Sequence, residues 1–286
     1  MASLPAERDG AVIRIESLQN ERVKDVVRLR RRGHRDAAGI VLIEGYREIR
    51  RALDFKVPPR TLFYAPDLFQ GTNEPALIAR CRDAGAQCFE CADPVFRKMA
   101  YRDRPDGLLL LAPQSRAELG ELALPPAPLL LVCEHIEKPG NLGTMLRSAD
   151  AAGADAVLVC DPCTDIFNPN TVRASVGALF TRPVVQAPTS EAIPWLRARG
   201  IRIVAATPRA EALHTEIDLR GGVALVVGAE QVGLTPAWLE AADARARIPM
   251  RGDCDSLNVA SAATILLFEA VRQRTANLPG VSRAPP

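Results

Sequence analysis

The chain has 286 residues, of which 48% are hydrophobic and 24% charged, with a formal net charge of +2. That length accommodates one large domain or two modest ones with ample core, and the composition is that of an ordinary soluble globular protein and not of a short disulfide framework. No apolar run approaches a membrane span, and the opening MASLPAERDG lacks a signal peptide's apolar region, so a cytoplasmic protein is expected.

The charge is unevenly spread. Up to Ala112 there are 20 Lys and Arg against 16 Asp and Glu, whereas the remainder has 16 against 18. Most of the excess is one cluster, Arg28, Arg30, Arg31, Arg32 and Arg35. Such a cluster is an electrostatic footprint for nucleic acid, and it is also what a solvated helix face looks like.

From the amino terminus, helix and strand signals alternate. Asn20 can cap a helix through Val23, Val26, Val27 and Arg30 that ends near Gly33 and carries the arginines. Strands are expected at 40–43, 61–64, 87–90 and 108–111, and helices at 44–55, 74–83 and 94–100. This is a small α/β sandwich with no cluster of candidate acids, bases and nucleophiles; its one histidine, His34, sits among arginines. Residues 113–128 contain several prolines and little periodicity, which marks a linker.

The seven cysteines include two C-x-x-C pairs, Cys88 with Cys91 and Cys160 with Cys163. A four-thiolate zinc site and reduced structural cysteines both fit, but the separation of the pairs is far outside ribbon spacing. No metal is expected.

After the linker the pattern becomes strand then helix, repeatedly. Apolar runs at 129–132, 156–159, 201–205 and 223–227 alternate with helical stretches at 142–152, 171–179, 191–199 and 257–274. Continuous Val, Leu and Ile runs imply strands buried on both faces, hence a parallel sheet between helix layers. Ligands on such sheets bind beyond the carboxyl ends of the strands, so the informative loops follow Cys133, Ala205, Val227 and Ile248.

Three stretches there carry polar groups. In the first, Asn141 is a candidate helix N-cap, and Leu142, Met145, Leu146 and Ala149 form one apolar face. Arg147 lies off that face, leaning back over Gly143, where a cation beside free N–H groups suits a phosphate. An ordinary amphipathic helix with an exposed arginine fits that stretch equally. In the second, Gly228 and Gly233 flank Glu230 and permit close approach and a tight turn. The third, Pro249 to Asn258, enters a helix with a small-residue face of Val259, Ala262, Ala263, Leu266, Leu267 and Ala270, suited to core or dimer packing. The dinucleotide fingerprint, the P-loop and a serine elbow are all absent.

In order, these stretches resemble the three signature motifs of the SpoU (TrmH) family of RNA ribose 2′-O-methyltransferases, within the SPOUT superfamily. They read N-x-G-x-x-x-R-x-A-x-x-x-G from Asn141 to Gly153, G-x-E-x-x-G-L from Gly228 to Leu234, and I-P-M-x-G-x-x-x-S-L-N-V from Ile248 to Val259. The stretch Asn168 to Ala178 is also similar to the family's. Less specifically, Ser17 to Asn20 and the Glu44-Gly45 pair resemble the L30e/L7Ae-like substrate-binding domain of ribosomal RNA members. One departure is Ala260, where the family usually has serine.

The resemblance implies an α/β protein: a small L30e-like substrate-binding domain at 1–112, a linker at 113–128, a parallel-sheet methyltransferase domain with a deep trefoil knot at 129–275, and a flexible tail at 276–286. It implies S-adenosylmethionine as cofactor, held at Thr207, Gly228, Ile248, Met250 and Leu257, and a homodimer. Arg147, Asn141, Glu230, Ser256 and Asn258 match the catalytic positions. Arg147 would clamp a phosphate and stabilise the forming alkoxide, with its role as base left open because arginine stays protonated in most settings. Glu230 would orient Arg147 or its own loop, and Ser256 and Asn258 would hold ribose or the first motif. The implied substrate is RNA, 23S ribosomal RNA first, with Arg28, Arg30, Arg31, Arg32 and Arg35 on the RNA side. Members of this layout include housekeeping enzymes and antibiotic-resistance enzymes; a transfer RNA substrate and a non-catalytic RNA-binding protein are the competing readings.

Overall fold

The computed structural model describes residues 13–275, so the tail expected at 276–286 lies outside the described residues. The chain divides into two compact units, Met1–Gln114 and Ser115–Pro286.

The first unit runs β1 (Ile13–Ile15), α1 (Glu21–Arg28), α2 (Arg32–Ala38), β2 (Ile40–Glu44), α3 (Tyr46–Asp54), β3 (Thr61–Tyr64), α4 (Glu74–Asp83), β4 (Gln87–Cys91), α5 (Asp93–Met99) and β5 (Leu108–Pro113). Its sheet has the order β1-β4-β3-β5-β2. β4 is parallel to β1 and β3, while β5 is antiparallel to β3 and β2. Asn20 caps α1, its side chain accepting from the Arg22 N–H at 2.9 Å. Val23 and Val26, one helical turn apart, are the residues α1 buries.

The single helix expected to end near Gly33 is instead two. Arg31 is extended, and Arg35, 1% exposed, turns Nη1 onto the carbonyls of Leu29 at 3.0 Å and Arg30 at 2.7 Å. Those carbonyls are orphaned where α1 ends, and the arginine supplies the donors that let the chain change direction.

The second unit contains β6 (Leu129–Glu134), α6 (Pro139–Ala151), β7 (Ala156–Cys160), α7 (Pro169–Ser175), β8 (Val184–Ala187), α8 (Thr189–Ala198), β9 (Arg202–Ala206), β10 (Val223–Val227), α9 (Pro236–Ala241), β11 (Ala244–Ala246) and α10 (Val259–Thr275). Its six strands, ordered β11-β9-β10-β6-β7-β8, are all parallel. β6, β7 and β10 are buried at every position, as continuous apolar runs between helix layers require. β8 and β11 were not anticipated; they are short, and β11 reads Ala-Arg-Ala without an apolar run.

Leu122 and the partly buried Leu119 and Leu124 pack on this unit's core, so the proline-rich stretch is anchored here. Among the described residues no helix is long and apolar enough to cross a membrane. Because β11, β9, β10 and β6 are parallel neighbours, their carboxyl ends share one edge. The loops leaving that edge build the site.

Candidate active site

β6 ends on Glu134, a fully buried carboxylate that accepts from the Thr235 N–H at 2.9 Å and its hydroxyl at 2.6 Å. Buried polar oxygens are tolerated when they are bonded in this way. The bonds tie the end of β6 to the far side of the loop that follows β10.

α6 begins at Pro139, with Lys138 as N-cap. Proline is pre-set for the first helical position, where its missing N–H is not needed. Asn141 therefore sits inside the first turn, not at the cap, and its side chain is free for a distant partner. It donates through Nδ2 to Glu230 Oε1 at 2.8 Å.

Glu230 is carried by a loop closed on itself. The Gly233 N–H donates to the Ala229 carbonyl at 2.9 Å, and Gly233 has φ +72°, a conformation that favours glycine. A side chain on Gly228 would lie 2.5 Å from the Gly233 carbonyl, so glycine there is what lets the loop close on itself. Glu230 Oε1 also accepts from Asn258 Nδ2 at 2.7 Å, while Lys138 Nζ pairs with Oε2. The Lys138 hydrogen bond, with Asn141, Lys138's charge and the Val259 N–H behind it, outweighs the opposing effect of burial and holds the Glu230 carboxyl below its ordinary range. Asn258 completes the cluster by donating to Asn141 Oδ1 at 3.2 Å and accepting from the Ala260 N–H at 3.0 Å at the start of α10.

Of the two roles expected for Glu230, orienting Arg147 or its own loop, no direct contact with Arg147 is made among the described residues; its ionic partner is Lys138 and its amide partners are Asn141 and Asn258. Sequence reading passed over Lys138 because only the Pro-Gly turn was weighed in that loop; a lysine just ahead of a first-turn proline was the available signal.

Arg147 is exposed and makes no hydrogen bond or ion pair among the described residues. Gly140, Thr144, Arg147 and Ala151, all exposed, follow one another at helical spacing along α6. Gly143 belongs to another face. A Cβ there would lie 2.6 Å from both Ala174 Cβ and the Thr171 carbonyl, so its smallness serves contact with α7, not clearance for Arg147. On the side facing α10, the Ser148 and Thr264 hydroxyls meet at 2.7 Å.

The positions expected to hold the cofactor lie at the same sheet edge. Thr207 follows β9, its N–H donating to the Ala246 carbonyl at 2.9 Å, and Gly228 follows β10. Ile248 and Met250 follow β11 half-buried, and Leu257 is 39% exposed. Half-covered apolar side chains beside strand-end backbone suit a flat heterocycle with polar edges, so this donor set fits the adenosine part of S-adenosylmethionine. Ser256 is exposed and makes no hydrogen bond among the described residues.

In the first unit the arginine cluster separates. Arg28, Arg31 and Arg32 are exposed. Arg30 is exposed as well, but its guanidinium donates to the carbonyls of Lys98 at 2.8 Å and Ala100 at 2.5 Å. Arg35 is buried and is removed from the candidate RNA surface. Of the cysteines, Cys163 and Cys254 are exposed, and burial pushes the Cys81, Cys91 and Cys133 thiols up to about 12. Among the described residues no group of three or more His, Cys, Asp or Glu could hold a metal ion.

Comparison with known proteins settles what this arrangement belongs to. Residues 128–268 match the SpoU rRNA Methylase family, and residues 20–110 match the MRM3-like substrate binding domain. A 23S rRNA (guanosine(2553)-2′-O)-methyltransferase of Bacillus subtilis is 32% identical over 89% of this chain and 97% of its own length. The chain belongs to the SpoU rRNA methylase family. It is a methyltransferase of that family, with S-adenosylmethionine as methyl donor. A 23S rRNA (uridine(2479)-2′-O)-methyltransferase of Streptomyces viridochromogenes is 31% identical over 96% of this chain and 97% of its own. The crystal structure of an AdoMet-bound rRNA methyltransferase from Sinorhizobium meliloti is 34% identical, with a TM-score of 0.83 over 92% of this chain and 98% of the other.

Proposed function

We propose that this enzyme transfers a methyl group to a ribose 2′-hydroxyl of 23S ribosomal RNA in the cytoplasm, with the second unit as catalyst and the first as selector of the site. The observation that carries the reading is the Glu230 cluster: one carboxylate joins the loops after β6 and β10 to the entry of α10, beside a helix whose exposed stripe bears an arginine without a partner among the described residues. Relatives named as 23S rRNA methyltransferases span almost the whole chain, both units included, which supports ribosomal over transfer RNA.

Bound at the strand ends, S-adenosylmethionine supplies a methyl on a sulfonium that needs no further activation. The protein's share is to hold a ribose hydroxyl in line and stabilise the charge it develops. Arg147 does this as a guanidinium that clamps the target phosphate and faces the forming alkoxide, and the hydroxyl proton leaves to solvent. Asn141, Glu230 and Asn258 keep the three loops in register, and Ser256, exposed beside them, contacts the ribose. Thr207, Gly228, Ile248, Met250 and Leu257 line the adenosine site. On α10, Ile265 and Phe268, 36% and 45% exposed, are a face for a second copy of the chain. The domain limits in this reading are 1–112 and 129–275, the latter knotted as in the family.

The test is transfer of labelled methyl from S-adenosylmethionine to separated 16S, 23S and transfer RNA, followed by mapping of the alkali-resistant position. Label at one nucleotide of 23S RNA is expected, and its place inside or outside an antibiotic-binding region decides between self-protection and housekeeping. Label confined to transfer RNA overturns the substrate; no cofactor binding and no label overturns the reaction.

A further inference from the structure

Lys138 has no place in the motifs, yet it is the ionic partner of Glu230 among the described residues. Its side chain is 67% exposed, and its ammonium is nevertheless held on Glu230 Oε2. Holding a long exposed side chain in one geometry costs rotamer freedom, and an exposed ion pair returns little stability. The contact therefore needs a reason other than stability, and the division of the carboxylate supplies one. Oε1 takes both amides, Asn141 Nδ2 at 2.8 Å and Asn258 Nδ2 at 2.7 Å, and Lys138 sits on Oε2. A carboxylate bonded on one oxygen only can turn about its terminal bond, which has a broad torsional well. Bonded on both, it is fixed.

We propose that Lys138 is a positioning residue for methyl transfer that acts through Glu230, fixing the carboxylate so that a single oxygen ties the first turn of α6 to the entry of α10. The tie sets the helix that bears Arg147 against the segment that bears Leu257 and Asn258. The inference rests on the methyltransferase reading above. It makes Lys138 a part of the catalytic geometry and not a contact to RNA, although a lysine at a helix start is also where a phosphate contact would be sought.

The two roles separate in a double-mutant cycle. Wild type, Lys138→Met, Lys138→Arg, Glu230→Gln and the Lys138→Met/Glu230→Gln pair are compared for methyl transfer to 23S RNA, for S-adenosylmethionine affinity by calorimetry, and for melting temperature. Lys138→Met is expected to lower kcat about tenfold to a hundredfold, the scale of a small misplacement of reacting groups. The RNA KM and melting temperature stay unchanged, Lys138→Arg restores most of the loss, and the double variant is no slower than Glu230→Gln alone. Losses that multiply in the double variant, with a raised RNA KM and a weaker salt dependence, overturn the proposal in favour of a phosphate contact. Wild-type kinetics for Lys138→Met overturn it as well. An inactive wild type instead defeats the functional reading itself, which the first measurement of the series reveals.

Discussion

Asn258 donates through Nδ2 to Asn141 Oδ1 at 3.2 Å, although 117 residues separate them. Each also donates to the same oxygen of Glu230, so the starts of α6 and α10 are joined both directly and through a third loop. A helix is a stiff rod, and Arg147 lies six residues beyond Asn141, about 9 Å along the axis. Whatever fixes the first turn of α6 therefore fixes the backbone from which the Arg147 side chain extends.

Arg147→Ala follows from this arrangement. The side chain is exposed and makes no hydrogen bond or ion pair among the described residues, so its loss leaves the fold and the adenosine site untouched. Transfer to RNA should fall by about 10²–10³ in kcat, the cost of removing one electrostatic stabiliser of a developing oxyanion. Calorimetry should show S-adenosylmethionine affinity unchanged. Wild-type turnover in this variant would remove Arg147 from the mechanism.

Gly143→Ala tests a different face of the same helix. The added methyl would lie 2.6 Å from Ala174 Cβ and the Thr171 carbonyl, and 2.9 Å from the Ser175 nitrogen. Two of those atoms are backbone and cannot swing away. The helices must part, at a cost of about 1–3 kcal/mol for overpacking. Urea unfolding should show a lower midpoint, with transfer reduced in the native protein because α6 is displaced.

The sequence exposed the strand-helix alternation because β6, β7 and β10 are buried on both faces, which leaves an unbroken apolar signature. β1, β8 and β11 escaped notice, since each is three or four residues interrupted by a polar side chain, Ile-Arg-Ile, Val-Val-Gln-Ala and Ala-Arg-Ala, and lacks the apolar run that marks the equally short β3. In the site, Asn141, Glu230 and Asn258 could be singled out by type and spacing. Their mutual bonds could not, because Pro139 moves the helix start and so changes what Asn141 faces. Arg35 misled for a similar reason: a run of arginines reads as surface, and nothing local shows that one of them serves two orphaned carbonyls.

Glu48 gives the first unit a pH dependence. Burial pushes its carboxyl above the ordinary range, only partly offset by Arg102, whose Nη2 donates to Oε1 at 2.6 Å. The folded chain therefore keeps this proton at a pH where the unfolded chain has lost it. Stability contributed by the protonated form is complete below the unfolded value and is lost as pH rises through the folded one. Glu48→Gln removes that loss. The urea midpoint of the variant, relative to wild type, should rise from acid to neutral pH; a difference that is flat or falls would contradict the raised carboxyl.

Arg31 and Arg35 stand four residues apart and should behave as opposites. Arg31 is exposed, so Arg31→Ala should leave the urea midpoint alone and weaken RNA binding. If it meets one phosphate, the slope of log affinity against log salt should flatten by about 0.7–0.9. Arg35 is buried, with Nη1 on the carbonyls of Leu29 and Arg30. Arg35→Met keeps the stem and strands those carbonyls, costing about 1–3 kcal/mol for each that stays dry. Its RNA affinity in the folded state should keep the wild-type salt slope, because a guanidinium consumed inside the fold releases no counterions. Equal loss of slope in both variants would return Arg35 to the RNA surface.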